Sequence, residues 1–150
     1  MNMNEHGEDM VIENRTWTQP SGWILDRLIS ADAAIALPTV LAERSLVRDV
    51  GGFDESVRLC EDYDLWFRFG LRSPVLFVPE MLTKVRRHSN NYSDYANKPG
   101  EMDRWWLYIC KKMYRSTNNP KAKLACEHQF AFRMGRLTGH EGSTGESGNT

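Results

Sequence analysis

The sequence has few cysteines, almost no net charge and no long apolar run. Its three cysteines, Cys60, Cys110 and Cys126, lie far apart and form no Cys-x-x-Cys pair, so neither a disulfide framework nor a zinc site is predicted. A formal net charge of -1 over 150 residues gives no overall field that would attract nucleic acid or an anionic membrane. No apolar run approaches the length of a membrane span. We therefore expect no nucleic-acid partner and no transmembrane segment.

The remaining composition is that of a globular protein in a reducing compartment. Residues 1–9 are polar and acidic and lack the basic and apolar regions of a secretory signal. Cys60 precedes Glu61, and a neighbouring carboxylate raises a thiol pKa, so Cys60 is a poor candidate nucleophile. We expect all three cysteines to be buried, and a cytoplasmic protein that can lie peripherally at the inner face of the membrane.

Helices are predicted to alternate with short extended segments, which makes the fold class α/β. Apolar spacing predicts helices over 23–37, 61–71, 101–114 and 121–137, with a helical turn over 44–50. Short extended segments are predicted over 39–42, 75–79 and 81–87, and a polar loop over 89–100. The organisation is a polar N-terminal segment (1–22), a folded region (23–138) and a tail (139–150) that we expect to be disordered.

Three carboxylates crowd the start of the helix predicted over 61–71. Glu61, Asp62 and Asp64 suit an acidic first helical turn, which the helix dipole favours. Asp62 is also in register with Leu65 and Phe69, so it is expected to face packed surface and Asp64 to face elsewhere. An oriented acid at the rim of an apolar face suits a general base. The residues alone leave both interpretations open.

The Asp62-Tyr63-Asp64 sequence also has the form of the Asp-x-Asp metal motif of nucleotide-sugar enzymes. That motif ends an apolar strand, whereas a weak strand precedes Asp62 here and a helical pattern follows Asp64. We therefore do not assign a metal to this pair.

A Gly-Gly turn followed by an acidic helix resembles the acceptor-side, C-terminal half of family 2 glycosyltransferases with the GT-A fold. The resemblance runs from about Trp23 to Ser93. Its motifs are Gly51-Gly52-Phe53-Asp54-Glu55, Glu61-Asp62-Tyr63-Asp64-Leu65-Trp66-Phe67-Arg68, Val78-Pro79-Glu80, Arg86-Arg87-His88 and Asn91-Tyr92-Ser93. It implies a partial GT-A fold with added C-terminal helices.

The resemblance implies an inverting transfer of a sugar from a nucleotide-sugar donor to a carbohydrate or lipid-linked acceptor. Asp62 matches the catalytic base that takes the acceptor hydroxyl proton. Glu61 matches the preceding acid, which orients the site or contacts the acceptor. Such a reaction would belong to polysaccharide or glycoconjugate biosynthesis.

The same resemblance implies where substrate and metal would bind. Gly51, Gly52, Phe53 and Asp54 match the turn that lines the sugar and acceptor region. Trp66 would form an apolar wall or belong to the core. His88 matches a histidine that approaches a divalent cation, Mg²⁺ or Mn²⁺, in some members. A lone histidine in a polar loop is otherwise simply solvated.

The family's nucleotide-binding half has no counterpart before Trp23. We therefore expect a fragment of a longer gene product, a chain that works with a separate donor-binding half, or a chain without activity. Two alternatives to an enzyme stay open: a carbohydrate-binding pseudoenzyme, and a structural interaction module that uses the C-terminal helices. In those helices Trp105, Trp106 and Ile109 form a bulky stripe, which we expect to pack on the core rather than enter a membrane interface.

Overall fold

The computed structural model describes residues 2–10, 20–80, 82–88 and 100–141. Most of the loop predicted over 89–100 lies outside these residues, as does the end of the predicted tail. The Asn91-Tyr92-Ser93 part of the resemblance also falls outside them.

Five α-helices carry most of the described structure. They are α1 (Leu25–Ile29), α2 (Arg44–Asp49), α3 (Glu61–Gly70), α4 (Glu101–Ser116) and α5 (Pro120–Glu141). The predicted helices that became α3, α4 and α5 are confirmed, and α5 extends three residues into the predicted tail. The first helix is shorter than predicted, because Ala31 has a φ of 61° and a right-handed helix cannot continue through that region. Among the helices described, none is both long and apolar enough to cross a membrane.

A small sheet joins the N-terminal segment to the residues before His88. Its strands are β1 (Asn2–Met3), β2 (Asp9–Met10) and β3 (Val85–Arg86), in the order β2-β1-β3. Strand β1 pairs antiparallel with β2 and parallel with β3. Part of the extended segment predicted over 81–87 is thus confirmed as a strand.

The other two predicted strands do not form. Residues Leu37–Thr39 are a 3-10 turn, after which Val40 is extended but unpaired in the described structure. Val75 makes only an isolated bridge with Gly22. The predictions of strands over 39–42 and 75–79 were therefore wrong. A short apolar segment forms a strand only when a neighbouring strand pairs with it, and the described residues supply only the single bridge at Val75.

The core lies where α1, α3, α4 and α5 meet. Leu28, Ile29, Phe67, Ile109 and Cys110 are almost completely buried there. Helices α4 and α5 run antiparallel, because Asp103 near the start of α4 pairs with Arg133 late in α5. The segment that connects them caps the N-terminus of α5, because the Asn119 side-chain oxygen accepts hydrogen bonds from the amides of Lys121 and Ala122. The core thus fixes α3, whose first turn carries the acids.

Candidate functional site

The Gly-Gly turn closes α2 and begins the candidate site. Gly51 and Gly52 have φ angles of 82° and 68°, which glycine adopts without steric cost. The Gly52 amide donates to the Val47 carbonyl oxygen at 2.9 Å. The predicted helix end at Gly51-Gly52 is confirmed. Phe53, which follows, leaves 47% of its surface exposed.

Arg68 of α3 ties this turn to the acidic helix. Its Nη1 donates to the carbonyl oxygens of Val50 and Gly52 at 2.7 and 2.6 Å. Its Nε and Nη2 donate to Asp64 Oδ2 at 2.9 and 2.7 Å. A planar guanidinium can serve both sides at once because its donors are fixed in a fork. The position of the turn therefore depends on Arg68.

Lys112 of α4 completes a network of two carboxylates and two cations. Its Nζ lies 2.6 Å from Asp54 Oδ2 and 2.7 Å from Asp64 Oδ1. The hydrogen bond from Lys112, reinforced by those from Ser56, holds the pKa of Asp54 well below its usual range. Burial lowers the pKa of Lys112, but its bonds to Asp54 and Asp64 outweigh that effect and raise it. The C-terminal helices are thus part of the site's framework.

Asp64 and Asp62 differ in burial and in their charged neighbours. Asp64 is 3% exposed and its two oxygens are held by Arg68 and Lys112. Asp62 was predicted to face packed surface and Asp64 to face elsewhere. The prediction was wrong for Asp64, because Lys112 from α4 covers the side of α3 on which Asp64 lies. Asp64 is therefore the buried, structural carboxylate of the two.

Asp62 is half-buried and its Oδ1 accepts a hydrogen bond from the Tyr63 amide at 2.8 Å. Burial, and to a lesser extent the charge of Glu61, raises the pKa of Asp62. Among the ion pairs of the described residues, none involves Asp62 or Glu61. Glu61 is also half-buried. The first turn of α3 therefore presents an oriented carboxylate that no described cation neutralises.

Trp66 lies in the core. It is 3% exposed and its indole N–H donates to the Ile35 carbonyl oxygen at 3.2 Å. Of the two uses expected for this residue, packing is the one that the structure displays. Its ring is not available to a ligand in this arrangement.

His88 is exposed and follows β3. Within ranges 2–10, 20–80, 82–88 and 100–141, no three His, Cys, Asp or Glu side chains lie close enough together to hold a metal ion. The described residues therefore do not form a divalent-cation site by themselves, and His88 would need ligands from elsewhere.

A second buried network supports the same end of α3 and was not predicted. Asp103 is 1% exposed and pairs with Arg133 at 2.7 Å and Arg136 at 3.2 Å. The Arg133 guanidinium lies 4.7 Å from the centre of the Trp106 ring, a cation–π contact. Tyr63 of α3 packs on that same ring at 4.6 Å.

Sequence reasoning missed Lys112, Arg133 and Asp103 because their partners lie on other elements. Only the Asp64–Arg68 pair had a readable signal, the i, i+4 spacing of opposite charges on a helix.

The three cysteines belong to the hydrophobic core. All three are buried, as predicted. Burial, followed by the charge of Asp62, raises the pKa of Cys60 to about 12, so its reactive thiolate form is suppressed.

Comparison with known proteins gives a partial likeness. No protein-family model matches the chain, and no solved structure does. An uncharacterized glycosyltransferase of Rickettsia typhi is 38% identical over 76 residues, 50% of this chain and 24% of that protein. An uncharacterized glycosyltransferase of Rickettsia prowazekii is 37% identical over 76 residues, which are 50% of this chain and 24% of that protein. An uncharacterized protein of Mycobacterium tuberculosis is 35% identical over 85 residues, 56% of this chain and 23% of that protein.

The matched stretch spans about a quarter of the length of each of these relatives. Half of the chain is therefore similar to part of two proteins named as glycosyltransferases.

Proposed function

We propose that the chain is the acceptor-side half of an inverting, family 2-like glycosyltransferase with the GT-A fold. It would transfer a sugar from a nucleotide-sugar donor to a hydroxyl of a carbohydrate or lipid-linked acceptor. Asp62 is the proposed general base. The similarity to two proteins named as glycosyltransferases supports the general class, and the state of Asp62 supports the assignment of the base.

The contrast between Asp62 and Asp64 is the observation that carries the proposal. Both belong to the first turn of α3, yet two cations hold Asp64 while burial raises the pKa of Asp62. A carboxylate with a raised pKa is a stronger base, and one without a bound cation keeps its lone pairs for a substrate.

In the proposed reaction, Asp62 takes the proton of the acceptor hydroxyl as its oxygen attacks the anomeric carbon. The bond from that carbon to the nucleoside diphosphate breaks, and the diphosphate leaves with the bonding pair. Attack from the opposite face inverts the anomeric configuration. Proton removal accompanies attack because a sugar hydroxyl is too weak an acid to ionise beforehand.

The loop 51–54 would form the wall beside the reacting sugar. Arg68 and Lys112 hold its backbone and Asp54 in place, which pre-organises the wall before substrate arrives. The exposed ring of Phe53 supplies an apolar surface on which a sugar face can pack. Glu61 is proposed to orient the acceptor.

A donor-binding half is part of the proposal, because two extended segments expose large apolar side chains. Leu41 is 100% exposed and Leu76 is 81% exposed, and a large exposed apolar area marks a surface that another unit covers. Thr83 Oγ1 donates to the Pro38 carbonyl oxygen at 3.2 Å, which ties the segment that precedes Leu41 to the residues that precede β3. The divalent cation, Mg²⁺ or Mn²⁺, would take ligands besides His88 from that half. The proposed setting is the cytoplasm.

A second candidate is a carbohydrate-binding pseudoenzyme, which the exposure of the Phe53 ring and the half-burial of Glu61 and Asp62 also favour. It would hold a saccharide without transfer. The two candidates differ in whether substitution of Asp62 changes turnover or only acceptor binding.

The test uses a complete enzyme, in which the matched 76-residue stretch of the Rickettsia typhi relative is replaced by the corresponding stretch of this chain. The chimera and the native relative are incubated with UDP-, GDP- and TDP-sugars, saccharide and lipid-linked acceptors, and Mg²⁺ or Mn²⁺. The anomeric configuration of the product is read by NMR. Transfer with inversion is expected; transfer with retention, or a chimera that folds but is inert where the relative is active, would contradict the proposal.

A further inference from the structure

The outer face of α4 combines positive charge with aromatic side chains. Arg104, Tyr108, Lys111 and Arg115 are spaced four, three and four residues apart and are all exposed. This spacing places them on one stripe of the helix. Over 16 residues the helix is about 24 Å long, so the stripe is an extended, nearly straight surface.

The core does not use this stripe. The opposite side of α4 is the buried one, and Trp106 and Ile109 lie there as predicted. Trp105 is half-buried and also packs against the core, as predicted. Its ring meets the ring of Tyr108 edge-on with centroids 5.7 Å apart, and Tyr108 remains 45% exposed.

The charge of the stripe opposes the charge of the whole chain. It carries three cations and one acid, Glu101 at its N-terminal end, whereas the formal net charge of the chain is -1. A local excess of positive charge of this kind is complementary to an anionic surface even though the overall charge is not.

We propose that the outer face of α4 binds the surface of an anionic lipid bilayer. Lysine and arginine near such a surface are attracted to lipid phosphates. The exposed Tyr108 suits the headgroup level because its ring is apolar and its hydroxyl is polar. The helix would lie in the plane of the interface with α5 and the core behind it.

Nucleic acid fits the stripe less well than a bilayer does. Single-stranded binding relies on aromatic rings that are open for base stacking, whereas the Tyr108 ring is engaged with Trp105. Three cations are also few for a phosphate backbone, whose affinity grows with each phosphate neutralised. An oligonucleotide serves below as a competing probe.

The proposal does not depend on the glycosyltransferase assignment. It uses no residue of the Asp62 region, and vesicle binding is measured without nucleotide sugar. Failure of one proposal therefore leaves the other standing.

The experiment sediments the full 150-residue chain with sucrose-loaded vesicles. Vesicles of phosphatidylcholine and phosphatidylglycerol (3:1) are compared with pure phosphatidylcholine vesicles at 0.1 M NaCl. Binding is expected to the anionic vesicles and to weaken in 0.5 M NaCl, because salt screens the attraction. The Lys111→Gln/Arg115→Gln variant is expected to lower the partition coefficient about 25-fold, because each cation contributes about five-fold.

A matched control removes the same charge elsewhere. Arg44 and Arg48 are exposed on α2, so Arg44→Gln/Arg48→Gln should leave vesicle binding within about two-fold of the parent chain. Lys111→Arg/Arg115→Lys keeps the charge and should retain binding. Circular dichroism verifies that each variant is folded.

Four outcomes would overturn the proposal. The chain could fail to sediment with the anionic vesicles, or it could bind neutral vesicles equally well, which would point to the exposed apolar segments. The α2 control could lose as much binding as the α4 variant. A single-stranded oligonucleotide could bind more tightly than the vesicles through Lys111 and Arg115, which would assign the stripe to nucleic acid.

Discussion

Replacement of Asp64 by asparagine should destabilise the fold far more than the same replacement at Asp62. Asp64 accepts two bonds from Arg68, at 2.9 and 2.7 Å, and its other oxygen lies 2.7 Å from Lys112 Nζ. Losing one partner of a buried charge pair costs about 3–5 kcal/mol. The lower end applies, because Lys112 keeps Asp54 and Arg68 keeps two carbonyl oxygens. We expect a loss of about 3 kcal/mol, a large share of the roughly 5–15 kcal/mol that stabilises a domain.

The measurement is equilibrium urea unfolding at pH 7, followed by tryptophan fluorescence and far-ultraviolet circular dichroism. Asp62→Asn is the control, because it makes the same chemical change two positions away in the same helical turn. A loss below about 1 kcal/mol for Asp64→Asn, or an equal loss for both variants, would refute the argument that the Arg68–Asp64–Lys112 network holds the site together.

Four further predictions concern carboxylate titration, cysteine access and nucleotide-sugar binding. Asp62→Asn should raise the melting temperature at pH 7, because the raised pKa of Asp62 in the folded state destabilises the fold once this carboxyl is ionised in the unfolded chain. The gain should vanish as pH falls below the ordinary carboxyl pKa of 3.8. Asp54→Asn should lower the melting temperature at pH 7, because the lowered pKa of Asp54 stabilises the fold above pH 3.8, and the difference should shrink in acid. For each of these two variants, a melting temperature equal to that of the parent chain at every pH would contradict the prediction. The three buried cysteines should react with a disulfide reagent only after unfolding, and rapid labelling of the native chain would show that the core opens. Calorimetry with UDP-, GDP- and TDP-sugars and Mn²⁺ should detect no micromolar binding to the chain alone, and such binding would remove the need for a donor-binding half.

The sequence was most informative where one segment determines its own structure. Helix α3 follows from the spacing of Leu65 and Phe69 with acids in its first turn, and the end of α2 follows from Gly51-Gly52. The long helices α4 and α5 follow in the same way from apolar periodicity. These features depend on neighbours within a few residues, so a local pattern can specify them.

Features that depend on distant partners could not be predicted. Val40 and Val75 have strand-forming sequences around them, but a strand needs a partner and the described residues supply only a bridge at Val75. Lys112 lies 58 residues from Asp54 in the sequence, and nothing in its surroundings signals that it joins two carboxylates. For the same reason, which acid of the Glu61–Asp64 turn is buried could be learned only from the packing of α4 on α3.

The turnover number of Asp62→Asn in a complete enzyme tests the central claim most directly. The substitution keeps the size of the side chain and removes its basicity, so kcat should fall by about 10²–10⁴-fold, the contribution of a positioned general base. The KM for the nucleotide sugar should barely change, because the base acts on the acceptor. The assay is run at a temperature at which circular dichroism shows the variant to be fully folded. An unchanged kcat would contradict the account, because the acid that the fold leaves without a bound cation would then not be the base.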